Sequence, residues 1–495
     1  MSFRNERNLY KRKCDATNKD IISNISPDKK YKIYHQDYWW SDKWDAIDYG
    51  QEFDFGRSFF KQFDELLKAV PQMWLLVAQN INSEYVNYSA NTKDSYLIFA
   101  SSQNENCMYS RWIMNCKNLV DANNCSNCEN CYECVDCINI SSSKYCIWCV
   151  DSNNCFASYD LMWCNNCISC SLLRNKSYCI DNVQYSREDF MKKKQEIKIN
   201  SDLLKKTIQK WIHRSQYKLN TENCTWEYIT NSKNIFAWFE VENCENCKYI
   251  TNALNLRNSQ DIDFQAFDDE LCYEVLWIEN TYNTLFSYWI LEAKNVILSF
   301  TCFGWNPNLF GCIGLRNKSY CILNKQYTKE EYETLVPKII EHMKKTGEWG
   351  EFFPSSMSPF GYNETVAQEY FPLSKEVATM NNVFNWSDYE ALFPVVAKII
   401  PASKLPDNIK DIPDDILNWA IECEVTGKPF RIIRQELDFY RKHNLPIPRR
   451  HPDQRHLDRM AFRNPRKLYE RKCDKCETEM MTTYSPERPE RVYCE

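Results

Sequence analysis

Glycine is nearly absent from this sequence: 9 in 495 residues. A glycine-cradled phosphate site is thereby excluded, and neither GxGxxG nor GxxxxGK[ST] occurs. GxSxG, HExxH and the EF-hand pattern are missing too, so no nucleophile elbow, zincin helix or calcium loop is announced. Long hydrophobic runs are also lacking. Stretches such as ALFPVVAKII (391–400) are too short to span a bilayer, and the start, MSFRNERNLYKRKCD, is charged where a signal peptide is apolar. The expectation is a cytoplasmic protein with no membrane partner, whose thiols stay reduced. Neither sign of charge dominates; a net charge of −6 rules out neither nucleic acid nor acidic partners.

What the sequence has is length, 26 cysteines and three internal repeats. The length exceeds one ordinary core, so several domains or a repeat array are expected. The first repeat is twelve residues long, roughly N-x-x-N-C-[large]. It runs from Asn91 through Asn115, Asn127, Asn139 and Asp151 to Asn175, with Cys107, Cys131, Cys155 and Cys179 at one of its positions. It returns at Asn231, Asn243 and Asn255, slips by one residue, and continues through Asp268 and Asn280 to NKSYCILNKQY (317–327). A short fixed period belongs to folds whose units bury their inner faces by stacking. Twelve residues suit a short strand and a turn, with Asn at positions that tolerate left-handed backbone and can form a ladder. The spacing leaves open whether a coil holds one unit or two.

The second repeat closes each array. LRNKSYCIDNVQYSREDF (173–190) recurs as LRNKSYCILNKQYTKEEY (315–332), and each passes through a capping-box pattern into a charged helix expected to cap the solenoid. The third repeat joins the two ends: FRNERNLYKRKCD (3–15) matches FRNPRKLYERKCD (462–474). In the second copy Cys473-x-x-Cys476 and Cys494 have zinc-ribbon spacing, with Zn²⁺ as the expected cofactor. The first copy offers only Cys14 and His35 as ligands, and CEVTGK (423–428) reads as a further degenerate knuckle. His451, His456, Cys14 or His35 are candidates for a fourth ligand.

The fold expected is mainly β: two parallel β-solenoid arrays with capping helices, flanked by zinc-ribbon-like terminal modules and a small helical C-terminal region. The order is a degenerate ribbon (1–50), a helical and aromatic segment (51–90), the Cys-rich array (91–185), a helix (186–218), the second array (219–327), helix and loop (328–378), a helical and basic region (379–460) and an incomplete ribbon (461–495).

RNERNLYKRKCD, YWWSDKWDAIDYG, NKSYCILNKQYTKEEYE and CEVTGKPFRIIRQELDFYRKHNLPIPRRHPDQRH together resemble an uncharacterised family of cysteine-rich zinc-ribbon proteins from uncultivated small-genome bacteria. The resemblance covers nearly the whole chain and implies no activity. Members of that family carry a further knuckle before RNERNLY and a completed CxxC at the far end, so it also implies a truncated reading frame here.

Three candidate sites follow. The fourteen cysteines from Cys107 to Cys179 lie at multiples of three from one another, as in CSNCENCYECVDC (125–137). They read as wall lining, since the second array uses apolar residues such as NIFAWFEV (234–241) instead; metal binding and disulfides are the rival readings. The strip 441–472 has 11 Lys and Arg against 3 acids, a footprint for nucleic acid through Arg449, Arg450, Arg455, Arg459, Arg463, Arg466 and Lys467. YWWSDKWDAIDYGQEFDFGRSFF (38–60) reads as inter-module packing, or else as a stacking surface for sugars or bases. No small-molecule substrate is indicated. The reading is a non-enzymatic zinc-binding scaffold with a macromolecular partner, nucleic acid being the candidate. Its rivals are a β-helix enzyme acting on a polysaccharide and a metal-storing or redox protein.

Overall fold

The computed structural model describes residues 1–494 apart from 226–228, 237–238, 391–392 and 394. Ala237 and Trp238 of the second array, and Ala391, Leu392 and Pro394, thus lie outside the described residues. The chain forms two compact units. One comprises Met1–Leu75, His213–Tyr389 and Pro465–Glu495; the other comprises Leu76–Ile212 and Glu390–Asn464. Each holds one β-solenoid.

In the second unit, short strands from Val77 to Gln184 form a 13-stranded sheet of mostly parallel neighbours. Paired residues are one repeat apart, as in Asn123↔Val135 and Cys125↔Cys137, so one twelve-residue unit makes one coil. The coils begin at Val77, ahead of the register visible from Asn91. They are not built of a strand and a separate turn. From Asn91 to Asp181 every third residue has φ near +50°, giving four corners and four three-residue sides per coil. A left-handed L-residue costs roughly 1–2 kcal/mol, least for Asn and Asp, whose short polar side chains bond locally. Here they bond along the stack: Asn106 Nδ2 donates to Asn118 Oδ1 (2.5 Å), Asn118 to Asn130 (3.0 Å), and Asn115 to Asn127 (2.7 Å). Glycine would also fit these corners but at a larger entropic loss on folding, and it would carry no ladder.

The residue after each corner points inward. This is why the cysteines stand three apart: Cys125, Cys128, Cys131 and Cys134 line one coil, and all fourteen from Cys107 to Cys179 are buried in one core cluster. Inward polar groups on this buried axis need partners, and small side chains supply them. Inward serines accept the main-chain N–H one coil on, as Ser110 does from Ala122 (3.0 Å) and Ser143 from Cys155 (3.1 Å). Thiols donate weakly to carbonyls, Cys128 to Ser126 (3.2 Å) and Cys137 (3.5 Å). Cysteine here is a compact apolar group with a weak donor.

The last coil turns back in a hairpin, Cys179↔Gln184, and the Asn182 amide bonds both the N–H and the carbonyl of Ser171 (2.9 Å each). The helix Arg187–Glu196 buries Phe190 against Phe156, Ile168 and Ile180, which lie one coil apart on a single wall. Capping is therefore shared between hairpin and helix. A second wall carries the helices Arg434–His443 and Pro452–Met460, described below.

In the first unit an 11-stranded sheet repeats this construction from Lys218 to Gln326. Asn234, Asn246 and Asn258 form its ladder (2.8 and 3.2 Å), and Asn324 bonds both polar groups of Ile313 in the closing hairpin. Its inward residues are mixed; one coil presents Ser287, Ile290, Ala293 and Val296, all buried. The aromatic segment 38–60 packs against this solenoid. Arg316 lies over the rings of Trp39 and Trp44 and donates to the carbonyls of Trp39, Ser41 and Trp44 (3.0–3.3 Å). Glu52 pairs with Lys325, and Phe59 meets Phe310 edge-on.

Candidate metal centre

A ribbon copy starts as a two-stranded hairpin whose tip is a knuckle. In the C-terminal copy Tyr469–Lys472 pairs antiparallel with Glu479–Thr482. Cys473 N–H donates to the Thr478 carbonyl (2.9 Å) and Glu477 N–H to the Cys473 carbonyl (3.0 Å), with Glu477 left-handed. The chain returns through Val492–Tyr493, which brings Cys494 N–H onto Cys473 Sγ (3.3 Å). Cys473, Cys476 and Cys494 therefore converge. Their sulfurs lie within 4.8 Å of one another, and those of Cys476 and Cys494 are 3.3 Å apart.

The electrostatics suit a metal. The N–H groups of Cys494, Cys476 and Lys475 pull the Cys473 thiol down to about 6, so it is readily a thiolate. Hydrogen bonding to Cys476 and Cys473 pushes Cys494 up to about 11. Zn²⁺ at about 2.3 Å from each sulfur needs sulfurs roughly 3.8 Å apart, a spacing this trio spans. Among the described residues no fourth His, Cys, Asp or Glu joins the group, and no other such group of three or more exists, the cysteine array included.

The N-terminal copy repeats the scaffolding bond for bond. Tyr10↔Ser23 to Lys13↔Asp20 matches the C-terminal register, Cys14 N–H bonds Lys19 O (2.8 Å), and His35 N–H bonds Cys14 Sγ (3.3 Å). Asp15 accepts the Ile33 N–H as Asp474 accepts that of Val492, both at 2.6 Å. Thr17 replaces Cys476 and His35 replaces Cys494, so Cys14 and His35 share a knuckle without completing a ligand set. Both copies dock alike: Ile33–Tyr34 pairs with Gln72–Met73, and Val492–Tyr493 with His213–Arg214. In each case a solenoid begins within five residues of the docking strand.

A third copy sits in the other unit. Cys423 N–H bonds Lys428 O (3.0 Å), Gly427 N–H bonds Cys423 O (3.0 Å), and Glu424 N–H bonds Arg449 O (3.1 Å), the counterpart of Asp15 N–H to Ile33 O (2.9 Å). Against burial, the N–H of His451 and the Thr426 hydroxyl hold the Cys423 thiol below its ordinary pKa. His451 therefore occupies in this copy the place of His35 and Cys494. The missed signal is H-x-D. His35 and His451 each cap a helix by accepting the N–H of the Asp two residues on (3.3 and 3.2 Å).

Many arginines of the basic strip are paired within the protein, while Lys442, Lys467 and Lys472 are exposed. Arg455 bonds Asp121 (2.6 Å) and Glu436 (3.3 Å) and lies over the Tyr109 ring, and Arg459 bonds the other Asp121 oxygen (2.6 Å). Both guanidiniums and both carboxylates are buried on the wall of the Cys-rich solenoid, as is His456. Arg463 pairs with Asp136 (3.1 Å), Arg449 with Asp407 (2.8 Å), and Arg450 with Glu424 and Asp458 (both 2.7 Å). In the other unit Arg466 lies over Tyr370 and Lys467 over Tyr469. Composition counted the arginines and could not see their carboxylate partners, two of which, Asp121 and Asp136, lie more than 300 residues away.

Among the described residues no helix is long and apolar enough to cross a membrane. No protein-family profile and no curated protein matches this chain. A crystal structure assigned as an acetyltransferase from Desulfovibrio desulfuricans G20 aligns over 55% of this chain and 82% of its own, at 8% identity and a TM-score of 0.10, a likeness that assigns this chain no activity.

Proposed function

We propose that this protein is a non-catalytic β-solenoid scaffold stiffened by one zinc ion. The observation carrying this reading is the convergence of Cys473, Cys476 and Cys494 on a ribbon paired with the strand that leads into the second solenoid. Zinc bound there would supply the folding free energy that so small a module lacks from apolar packing. The two solenoids then offer rigid, amide-laddered walls to a macromolecular partner. The basic strip lends little support to nucleic acid as that partner, because most of its arginines pair with the protein's own carboxylates. The cysteine array lends none to metal storage, because its thiols line a packed axis.

Elemental mass spectrometry of protein purified without added metal tests this. About one zinc per chain is expected, falling to background in Cys473→Ser/Cys476→Ser. Metal-free wild type, or several ions per chain that survive the double substitution, would overturn it.

A further inference from the structure

Among the described residues the second solenoid breaks its three-residue corner spacing between Asn223 and Asn231, where one coil is a residue short, and at two later places, the last of which borders a cavity. The left-handed corners step from Phe264 to Asp268 and from Gly304 to Asn308, one residue too many each time. The pairing slips accordingly: Gln260↔Tyr273 is one residue longer than Ala266↔Ile278. Such bulges are over-represented next to binding sites, where they re-aim side chains. Beside the second of them lies a cavity of about 520 Å³, lined by Trp40, Asp42, Glu279, Glu292 and Gly304 among others.

Its chemistry departs from the repeat. Asn283, Asn295 and Asn308 form an amide ladder (2.9 and 3.1 Å). The neighbouring corner column reads Asp268, Asn280, Glu292, Gly304, with acids in place of amides and then no side chain at all. Gly304 is required there, since a Cβ would lie 2.3 Å from Asn317 Oδ1. Both bases of the lining are engaged: Lys318 pairs with Asp45 (2.8 Å), and Arg316 is held by the carbonyls already named. Asp42, Glu279 and Glu292 have no ion-pair partner among the described residues. Asp42, Glu279 and Glu292 are exposed, and partial desolvation with repulsion from Glu292 and Asp268 pushes Glu279 up, a repulsion that a bound cation would relieve. Above them the Trp40 indole is 45% exposed, tilted against Phe303 at 5.3 Å.

We propose that this cavity binds an organic cation, a guanidinium or alkylammonium group, with Trp40 against its face and Asp42, Glu279 and Glu292 as counter-charges. Aromatic surface beside unpaired carboxylates is the chemistry that recognises such groups. A metal ion fits less well, because no three of these carboxylates approach to ligand distance. A neutral glycan would gain nothing from the charge of these three carboxylates. The volume suits one small ligand or a single side chain.

Isothermal titration calorimetry on the full chain at low salt, with agmatine and with the peptide acetyl-Gly-Arg-Gly-amide, tests the assignment. At least one should bind below about 1 mM and weaken about tenfold or more in Glu279→Gln/Glu292→Gln. These isosteric changes on an outer wall leave folding intact, which circular dichroism verifies; Trp40→Ala should weaken the same ligand. Agmatine alone binding identifies a free cation as the ligand, and the peptide alone a basic segment of a protein. Binding by neither, binding indifferent to the Glu substitutions, or binding of a neutral oligosaccharide instead would overturn the proposal.

Discussion

The two solenoids share a coil but fill it differently. The first repeats a medium-sized thiol, with Cys125, Cys128, Cys131 and Cys134 around one turn, while the second sets large against small, with Ser287, Ile290, Ala293 and Val296. Corner geometry and ladder are the same in both. The difference teaches that the coil is specified by its corners and that the axis accepts whatever volume fits. The walls differ as well. The first solenoid's is covered through a buried ion network centred on Asp121; the second's carries stacked rings such as Trp277–Trp289 (4.8 Å) and Tyr288–Phe300 (4.2 Å).

Breaking the ion network should have the largest effect. Asp121→Ala leaves Arg455 and Arg459 charged and buried without their shared partner, at a cost of about 3–5 kcal/mol to the unit holding the Cys-rich solenoid. Equilibrium urea unfolding measures it. A loss below about 1 kcal/mol would mean that the wall contact is wetter than its burial indicates.

A smaller, pH-dependent effect belongs to the second solenoid. Its inward Asp269 accepts both the N–H and the hydroxyl of Thr281 (2.7 and 2.8 Å), and burial pushes its carboxyl up to about 7. A carboxyl raised in the folded state binds more protons there than in the unfolded chain. Its contribution is therefore most favourable below the unfolded value near 4 and is lost as pH rises through 7, a swing on the order of 2–4 kcal/mol. Asp269→Asn should flatten that fall in a pH series of urea midpoints; an unchanged slope would place the titration elsewhere.

Interior swaps sharpen the comparison most finely. Cys131→Val overfills a thiol coil and should cost about 1–3 kcal/mol. Cys128→Ala/Cys131→Val imitates the large-and-small filling and should bring the loss below about 1.5 kcal/mol, with metal content unchanged. A double variant no better than the single one, or one that loses metal, would give the thiols a role beyond packing.

Much of this was readable along the chain. The period of twelve, the inward spacing of three and the Asn ladder are local properties, because each coil repeats the preceding one. The slip between Asn255 and Asp268 was visible as broken register, but the cavity beside the later one, from Gly304 to Asn308, was not. The terminal trio was legible from CxxC and the distant Cys494, since knuckle spacing is a local geometric demand. The third ribbon was half legible: CEVTGK showed the knuckle, while His451 stands 28 residues from Cys423 where the other copies use 21, and a longer excursion hides the match.

The sequence by itself determined the solenoids, their corners and the three knuckles, because these rest on main-chain bonds between residues at fixed short separations. Tertiary structure alone decided what the charges do. Whether an arginine meets a phosphate or Asp121, and whether a glutamate is paired or lines an unneutralised cavity, depends on which distant segments pack together; Coulomb interaction and desolvation follow distance and burial in space, and neither is encoded in position along the chain.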